Sequence, residues 1–256
     1  MPPDVAADVR HWPTIIYQDD DVLVLNKPAG IAVHPTARHH HRTVTAWLVR
    51  QGFVGAQPCH RLDLETSGVL ICARHAAVER SLKAEFADRK TLKRYVAVVR
   101  GHLESACRVD QPLALQGPRG LVAIRMIADP DAPPAHTLIE PIAWAQPHEP
   151  ERTLVSLTPQ TGRQHQLRAH LAHIGHAIVG DKLYGMGERW FDAWSMGADM
   201  SELGTLDYPS QALHAWQLTI RVRGVEHTFE APPPETFPWP HMRDLALPKR
   251  DNMTAS

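Results

Sequence analysis

The chain is poor in cysteine: Cys59, Cys72 and Cys107 are the only three in 256 residues, and no Cys-x-x-Cys pair occurs. An odd number at wide, irregular spacing excludes a disulfide framework, and the three read as reduced and buried. Long apolar runs are missing as well. The opening MPPDVAADVRHWPT holds no stretch of signal-peptide length, and internal runs such as VLVL at 22–25 are far too short to cross a bilayer. A soluble, non-secreted, cytoplasmic protein without a membrane partner is expected. Neither sign of charge is in excess, with 27 Lys and Arg against 28 Asp and Glu, so overall charge does not announce a polyanionic partner. Gly-x-Gly-x-x-Gly, P-loop and Gly-x-Ser-x-Gly signatures are absent, which leaves nucleotide cofactors and serine hydrolase chemistry without support. No segment repeats at a period of ~20–50 residues.

What is present is a series of short apolar segments punctuated by turn residues. TIIYQDDDVLVLNKPAGIAVHP reads as strand, acidic turn, strand, Lys-Pro-Ala-Gly turn and short strand. RTVTAWLVRQG predicts a helix ending at Gly52, VLICA a central strand, and HAAVERSLKAEFADRK a helix with Ala77, Val78, Leu82 and Phe86 at helical spacing. Strands follow at KRYVAVVRG, VAIRMI, AHTLIEPIAW, RTLVSLTP, ALHAWQLTIRV and HTFEA, and a helix at GRQHQLRAHLAHIG, with Leu167, Leu171 and Ile174 on one face and Gly175 as its stop. Many strands, few helices and no regular βαβ alternation predict an α+β fold on a mixed, mainly antiparallel sheet. The expected organisation is an N-terminal tail over 1–13, one catalytic domain over 14–231 and a proline-rich tail over 232–256 that packs only in part.

Chemistry concentrates in HRLDLETSGVLICAR, residues 60–74. Asp63 stands between Leu62 and Leu64, close to a strand that reads as buried, where an unpaired carboxylate would be costly. It could cap its own loop through Thr66 and Ser67. It could also pair with Arg61, although a surface pair contributes only ~0.2–1 kcal/mol. A third partner is Arg168, which helical spacing places at the edge of a buried face, three residues after His165. An arginine there either covers apolar surface with its stem or meets a carboxylate, and Asp63 is the candidate. Between them, residues 80–101 carry Arg80, Lys83, Arg89, Lys90, Lys93, Arg94 and Arg100 beside Tyr95, either a solvated face or a nucleic-acid surface. His39, His40 and His41 form a run and His170, His173 and His176 recur every third residue, but no His-Glu-x-x-His spacing appears and no metal is expected.

Taken together, DDDVLVLNKPAGIAVHP, HRLDLETSGVLICAR, KRYVAVVRG and TPQTGRQHQLRAHLAHIGHAIVGDKLYG, followed by SQALHAWQL, resemble the RluA-type family of RNA pseudouridine synthases, in the family's order and roughly its spacing. The resemblance implies a cleft across the middle of the sheet and conversion of a uridine in ribosomal or transfer RNA to pseudouridine, an isomerisation that needs no cofactor. It implies Asp63 as the catalytic carboxylate, Tyr95 as the ring lying against the base and Arg168 as the partner of Asp63. Arg61, in the same motif, would fill the space left by a nucleotide turned out of its stack. Further RNA contacts are expected from His60, Lys90, Lys93, Arg94, Arg163 and His165, and the enzyme is expected to act as a monomer. Many relatives carry a small RNA-binding module ahead of this domain. Here about 18 residues precede the first matching motif, so the domain is expected to find its RNA by itself. Two other readings compete: an RNA-binding module without activity, and a metal-dependent hydrolase built on the histidines.

Overall fold

The segment VLVLNK is apolar at successive rather than alternate positions, the pattern of a strand covered on both faces. It forms β2 (Val22–Lys27), in which only Asn26 is partly exposed. Beside it lies β4 (Ser67–Ala73), buried throughout, in antiparallel register from Val22 opposite Ala73 to Lys27 opposite Gly68. The computed structural model describes residues 12–36, 41–200, 203–240 and 242. Its other strands are β1 (Thr14–Gln18), β3 (Gln57–Pro58), β5 (Leu92–Arg100), β6 (Cys107–Val109), β7 (Leu113–Leu115), β8 (Met126–Ala128), β9 (Thr137–Trp144), β10 (Arg152–Pro159), β11 (Leu213–Val222) and β12 (Val225–Glu230). Ten of them make one sheet in the order β1-β2-β4-β11-β5-β10-β9-β6, with β3 on β4 and β12 on β11, while β7 and β8 form a separate hairpin. The fold is α+β on a mixed, mostly antiparallel sheet.

The strands pair antiparallel with one exception. β4 and β11 run parallel and touch only where Ser67 faces His214 and Gly68 faces Ala215. At this junction the backbones come so close that a Cβ on Gly68 would sit 2.6 Å from the Ala215 carbonyl carbon and nearer still to its oxygen, with φ at +113°. Gly68→Ala is therefore expected to destabilise the protein by about 3 kcal/mol or more, measured as a lowered denaturation midpoint with an unchanged m-value. The neighbouring residues brace the same crossing: Ser67 Oγ lies 2.8 Å from His214 Nδ1, and His214 Nε2 lies 2.9 Å from the Ala231 carbonyl.

Four helices accompany the sheet among the described residues: α1 (Val44–Arg50), α2 (Ala76–Ala87), α3 (Gln166–His173) and α4 (Glu188–Met196). Thr43 caps α1 by accepting the Ala46 N–H, and Gly52 follows it at φ +82°. In α2, Val78 and Leu82 are buried and Phe86 packs partly, but Ala77 is exposed. α3 begins later than its periodicity predicts, because residues 160–165 form a turn. Leu167 and Leu171 join Val96, Val98, Leu154 and Leu157 in the largest core cluster. Gly175 (φ +84°) ends the helix, as expected. Three expectations are corrected. The short strand after Ala29 reduces to an isolated bridge between Ala32 and Thr43. VAIRMI is a strand only from Met126, residues 122–125 being a turn closed by Arg125 N–H to Val122 O. Helix α4, whose Gly and Asp neighbours disguised it, was not expected. Cys59 and Cys72 are buried and free, whereas Cys107 is only half-buried.

The proline-rich segment after Ala231 contributes Phe237 and Met242 to the same core cluster, with Trp239 packed against it. Residues 1–11 and 243–256, which hold most of the two expected tails, lie outside the described residues, as do His39 and His40 of the histidine run. Both ring nitrogens of buried His170 are bonded, to Thr137 Oγ1 and the Gln111 carbonyl at 2.9 Å each, and His176 Nδ1 lies 2.9 Å from the Arg100 carbonyl. Among the described residues, no helix is long and apolar enough to cross a membrane.

Candidate active site

The four residues after Asp63 are tied to the body of the fold. The Leu64 carbonyl accepts from Lys27 Nζ (3.2 Å) and from the Gly30 N–H (2.9 Å). Glu65 is held by Lys182 Nζ at 2.6 Å, Thr66 Oγ1 accepts from Gln211 Nε2 at 2.5 Å, and Ser67 pairs with His214. The hydroxyls of Thr66 and Ser67 thus serve the loop's attachment to β11 and its approach. They do not cap Asp63, whose carboxylate is left to face the cleft above the β4/β11 junction.

There it meets the helix that follows β10. Arg168 Nη1 donates to Asp63 Oδ2 at 3.1 Å, across 105 residues of chain. Arg61 is exposed on the cleft wall, and Arg168 is the arginine that holds the acid. The guanidinium is itself fixed from behind by Asp181, fully buried, with Nε to Oδ2 at 2.6 Å and Nη2 to Oδ1 at 3.0 Å. Oδ1 of Asp181 also accepts the N–H groups of Leu183 and Tyr184, both at 2.9 Å. Burial raises the Asp181 carboxyl, but Arg168 and these two N–H donors outweigh it and hold it below the usual value. The ring of Tyr184 lies under the Arg168 guanidinium, 5.1 Å from ring centre to Cζ. One planar, five-donor group therefore spans two carboxylates, with a bidentate fork on Asp181 that a lysine could not reproduce.

The cleft has a volume of about 650 Å³ and is lined by Arg61, Asp63, Tyr95, Arg163, His165 and Arg168 among others. That is the size of a small-molecule or single-nucleotide pocket. Tyr95 comes from β5, two strands from Asp63, and burial, then the charge of Asp63, raises its phenol well above the usual value, so it stays protonated. His165 Nε2 is 3.9 Å from Asp63 Oδ2, and its Nδ1 is 3.2 Å from the Tyr184 hydroxyl. Arg89 and Lys93 also line the cleft, and burial lowers the Lys93 amine.

The expected basic surface over 80–101 is not continuous. Arg94 is 3% exposed and does not line the cleft, because neighbouring residues of a strand point to opposite faces and Lys93 and Tyr95 take the cleft side. Lys90 is exposed, 2.8 Å from Asp88, outside the cleft. Lys83 is bound to Glu79 at 2.6 Å, and Arg100 to Asp207 at 3.3 Å on another side. His60 borders the cleft but accepts the Ile71 N–H at 3.2 Å and lies tilted against the Phe86 ring, and burial pushes it down to about 3. His165 does not share a helical face with Arg168. It precedes α3 with φ 49°, in the left-handed region.

Sequence reasoning missed Asp181, Tyr184 and Lys27. Lys27 is fully buried, and its Nζ donates to the carbonyls of Pro28 and Ile31 at 2.9 Å each as well as to Leu64; burial pushes it down to about 7 against the pull of Asp63 and Glu65. The available signal was donor counting. A buried arginine has five N–H groups and one carboxylate cannot satisfy them, so further acceptors were required, and Asp181, in the mostly apolar run AIVGDKLYG, was a candidate.

The model of the family described as RNA pseudouridylate synthase matches residues 21–173. The dual-specificity RNA pseudouridine synthase RluA of Escherichia coli is 36% identical over 224 residues, covering 86% of this chain and 93% of its own. The mitochondrial tRNA pseudouridine(32) synthase of Saccharomyces cerevisiae is 36% identical over 179 residues, 69% of this chain and 38% of the relative. Among solved structures, human RNA pseudouridylate synthase domain containing 1 superposes with a TM-score of 0.68 at 27% identity, covering 87% of this chain and 84% of that one.

Proposed function

The chain belongs to the RNA pseudouridylate synthase family and is an isomerase that converts uridine in RNA to pseudouridine; from that premise we propose that it acts on ribosomal or transfer RNA with Asp63 as the reacting carboxylate. The observation that carries this reading is the Asp63 carboxylate, 19% exposed in a nucleotide-sized cleft and held by Arg168 at 3.1 Å. The reaction breaks the bond from the ribose anomeric carbon to ring nitrogen 1, turns the uracil and joins carbon 5 to the same sugar carbon. A proton leaves carbon 5 and one is gained at nitrogen 1, so atoms and oxidation state balance. Asp63 enters either by attacking the anomeric carbon or by taking a proton from the neighbouring ribose carbon. Both routes use an ionised carboxylate beside the sugar. A stacked uridine cannot reach the cleft unless it is turned out, and Arg61, exposed at the wall, would fill its position. Residues 14–231 would act as one catalytic domain, with Phe237 and Met242 of the following segment packed on its core. A cytoplasmic site of action is part of the same proposal.

The reading is tested by mapping pseudouridines in total RNA from cells with and without this protein. Loss of one or a few defined sites in ribosomal or transfer RNA is expected; unchanged maps of both would refute the substrate assignment.

Two further results are expected. If Tyr95 stacks on the base, Tyr95→Phe keeps RNA affinity while Tyr95→Ala weakens it by about 1–3 kcal/mol in a binding titration. Equal and negligible effects of both would remove Tyr95 from the site. Binding should weaken with salt, and Lys93→Glu should reduce the log–log slope by about 0.7–0.9 for the lost phosphate contact. Lys90→Glu, outside the cleft, should leave the slope unchanged; the reverse ranking would put the RNA on another face.

A further inference from the structure

His165 is placed in a way that neither helix capping nor core packing explains. It occupies the N-terminal cap of α3 with φ 49°, a backbone conformation uncommon outside glycine, and its side chain makes no capping hydrogen bond. The following residue locks the turn. Gln166 accepts from Thr161 Oγ1 at 2.7 Å and from the Arg163 N–H at 3.0 Å, and it donates to the His136 carbonyl at 2.9 Å and to Thr137 Oγ1 at 3.0 Å. What the strained cap achieves is to aim the imidazole into the cleft, beside Asp63. Such outliers persist where the surrounding structure over-determines them, commonly at functional sites.

The ring's proton can be located from its neighbours. Tyr184 Oη accepts the Met126 N–H at 2.8 Å and stands 3.2 Å from His165 Nδ1. Burial pushes the Tyr184 phenol up to about 12, so it keeps its proton, and with one lone pair engaged by Met126 its O–H is free to donate to Nδ1. Burial, then the charge of Arg168, pushes the His165 imidazole down to about 4, so the ring is neutral at neutral pH, and with Nδ1 accepting from Tyr184 its single proton would sit on Nε2. At 3.9 Å from Asp63 Oδ2, that N–H is beyond hydrogen-bond reach of the carboxylate, which Arg168 already occupies.

We propose that His165, fixed in the Nε2–H tautomer by Tyr184, donates a hydrogen bond to an oxygen of the uridine nucleotide held against Asp63 and so orients it for reaction. The inference rests on the reading of Asp63 as the reacting carboxylate. A neutral donor suits an uncharged oxygen acceptor, a ribose hydroxyl or ring carbonyl, and it adds no second cation beside Arg168.

The test pairs a spectroscopic readout with a rescue. In protein labelled with ¹⁵N-histidine, with the His165 signals assigned by their loss in His165→Gln, long-range ¹H–¹⁵N correlation at neutral pH should show the Nε2–H tautomer. His165→Leu should lower kcat/KM by about ten- to a hundredfold with an unchanged thermal midpoint. His165→Gln, whose amide nitrogen reaches the Nε2 position and donates, should recover most of that loss. An Nδ1–H or doubly protonated ring overturns the proposal, as does a Gln variant no more active than Leu. The underlying reading fails separately: an active Asp63→Asn enzyme would refute the role of Asp63 while leaving the tautomer and the Gln–Leu difference as measured.

Discussion

Asp63→Asn is expected to lower pseudouridine formation by several orders of magnitude while RNA affinity and the thermal midpoint stay close to those of the native protein. The substitution keeps shape and volume and removes the charge on which both attack at the anomeric carbon and proton removal from the ribose depend. Folding should tolerate it because the loop does not hang on this side chain. Lys182 on Glu65, Gln211 on Thr66 and His214 on Ser67 hold residues 65–67 in place. Arg168 keeps its bidentate contact with Asp181 in the variant, so no cation is stranded. Single-turnover assays on an RNA with a defined target uridine would measure the effect, and turnover near the native rate would refute the assignment.

The second large effect is expected at Arg168, where function and stability separate by substitution. Arg168→Met removes the cation from between two carboxylates. Asp181, fully buried, then has only the two backbone N–H groups, and breaking such a pair from one side costs about 3–5 kcal/mol. Both activity and the denaturation midpoint should fall. Arg168→Lys retains a charge but not the fork that grips Asp181 through two donors while a third reaches Asp63, so part of the stability should return and little of the activity. The pH dependence has a definite sign. Because the Asp181 carboxyl is held below its ordinary 3.8, the pair's contribution is present above that value and is lost as pH falls through the depressed one. Acid unfolding of Arg168→Met should therefore lack this component. A variant with native midpoint and native turnover would show that Arg168 neither holds Asp181 nor serves Asp63.

Much was legible in the chain because it depends on neighbours in sequence. VLVLNK and VLICA read as strands, the spacing of Val78, Leu82 and Phe86 declared α2, and Gly175 marked the end of α3. The residue types of HRLD and GRQHQLR, read with the family resemblance, pointed to Asp63 and Arg168. Periodicity and turn chemistry act over a few residues, so they leave their record in the order of amino acids. Which groups face one another does not. Lys93 and Arg94 are equivalent as letters, and only what covers each side of β5 sends one to the cleft and buries the other. His165 reads as the first turn of a helix until the Gln166 bonds to residues 136, 137 and 161 force it into a left-handed cap. The choice of Arg168 over Arg61, and the demand for Asp181 behind it, arise because a buried guanidinium must satisfy all its donors at once. That condition applies to a three-dimensional neighbourhood, here assembled from loops 63–66, 160–165 and 181–184, and it exists only after the chain has folded.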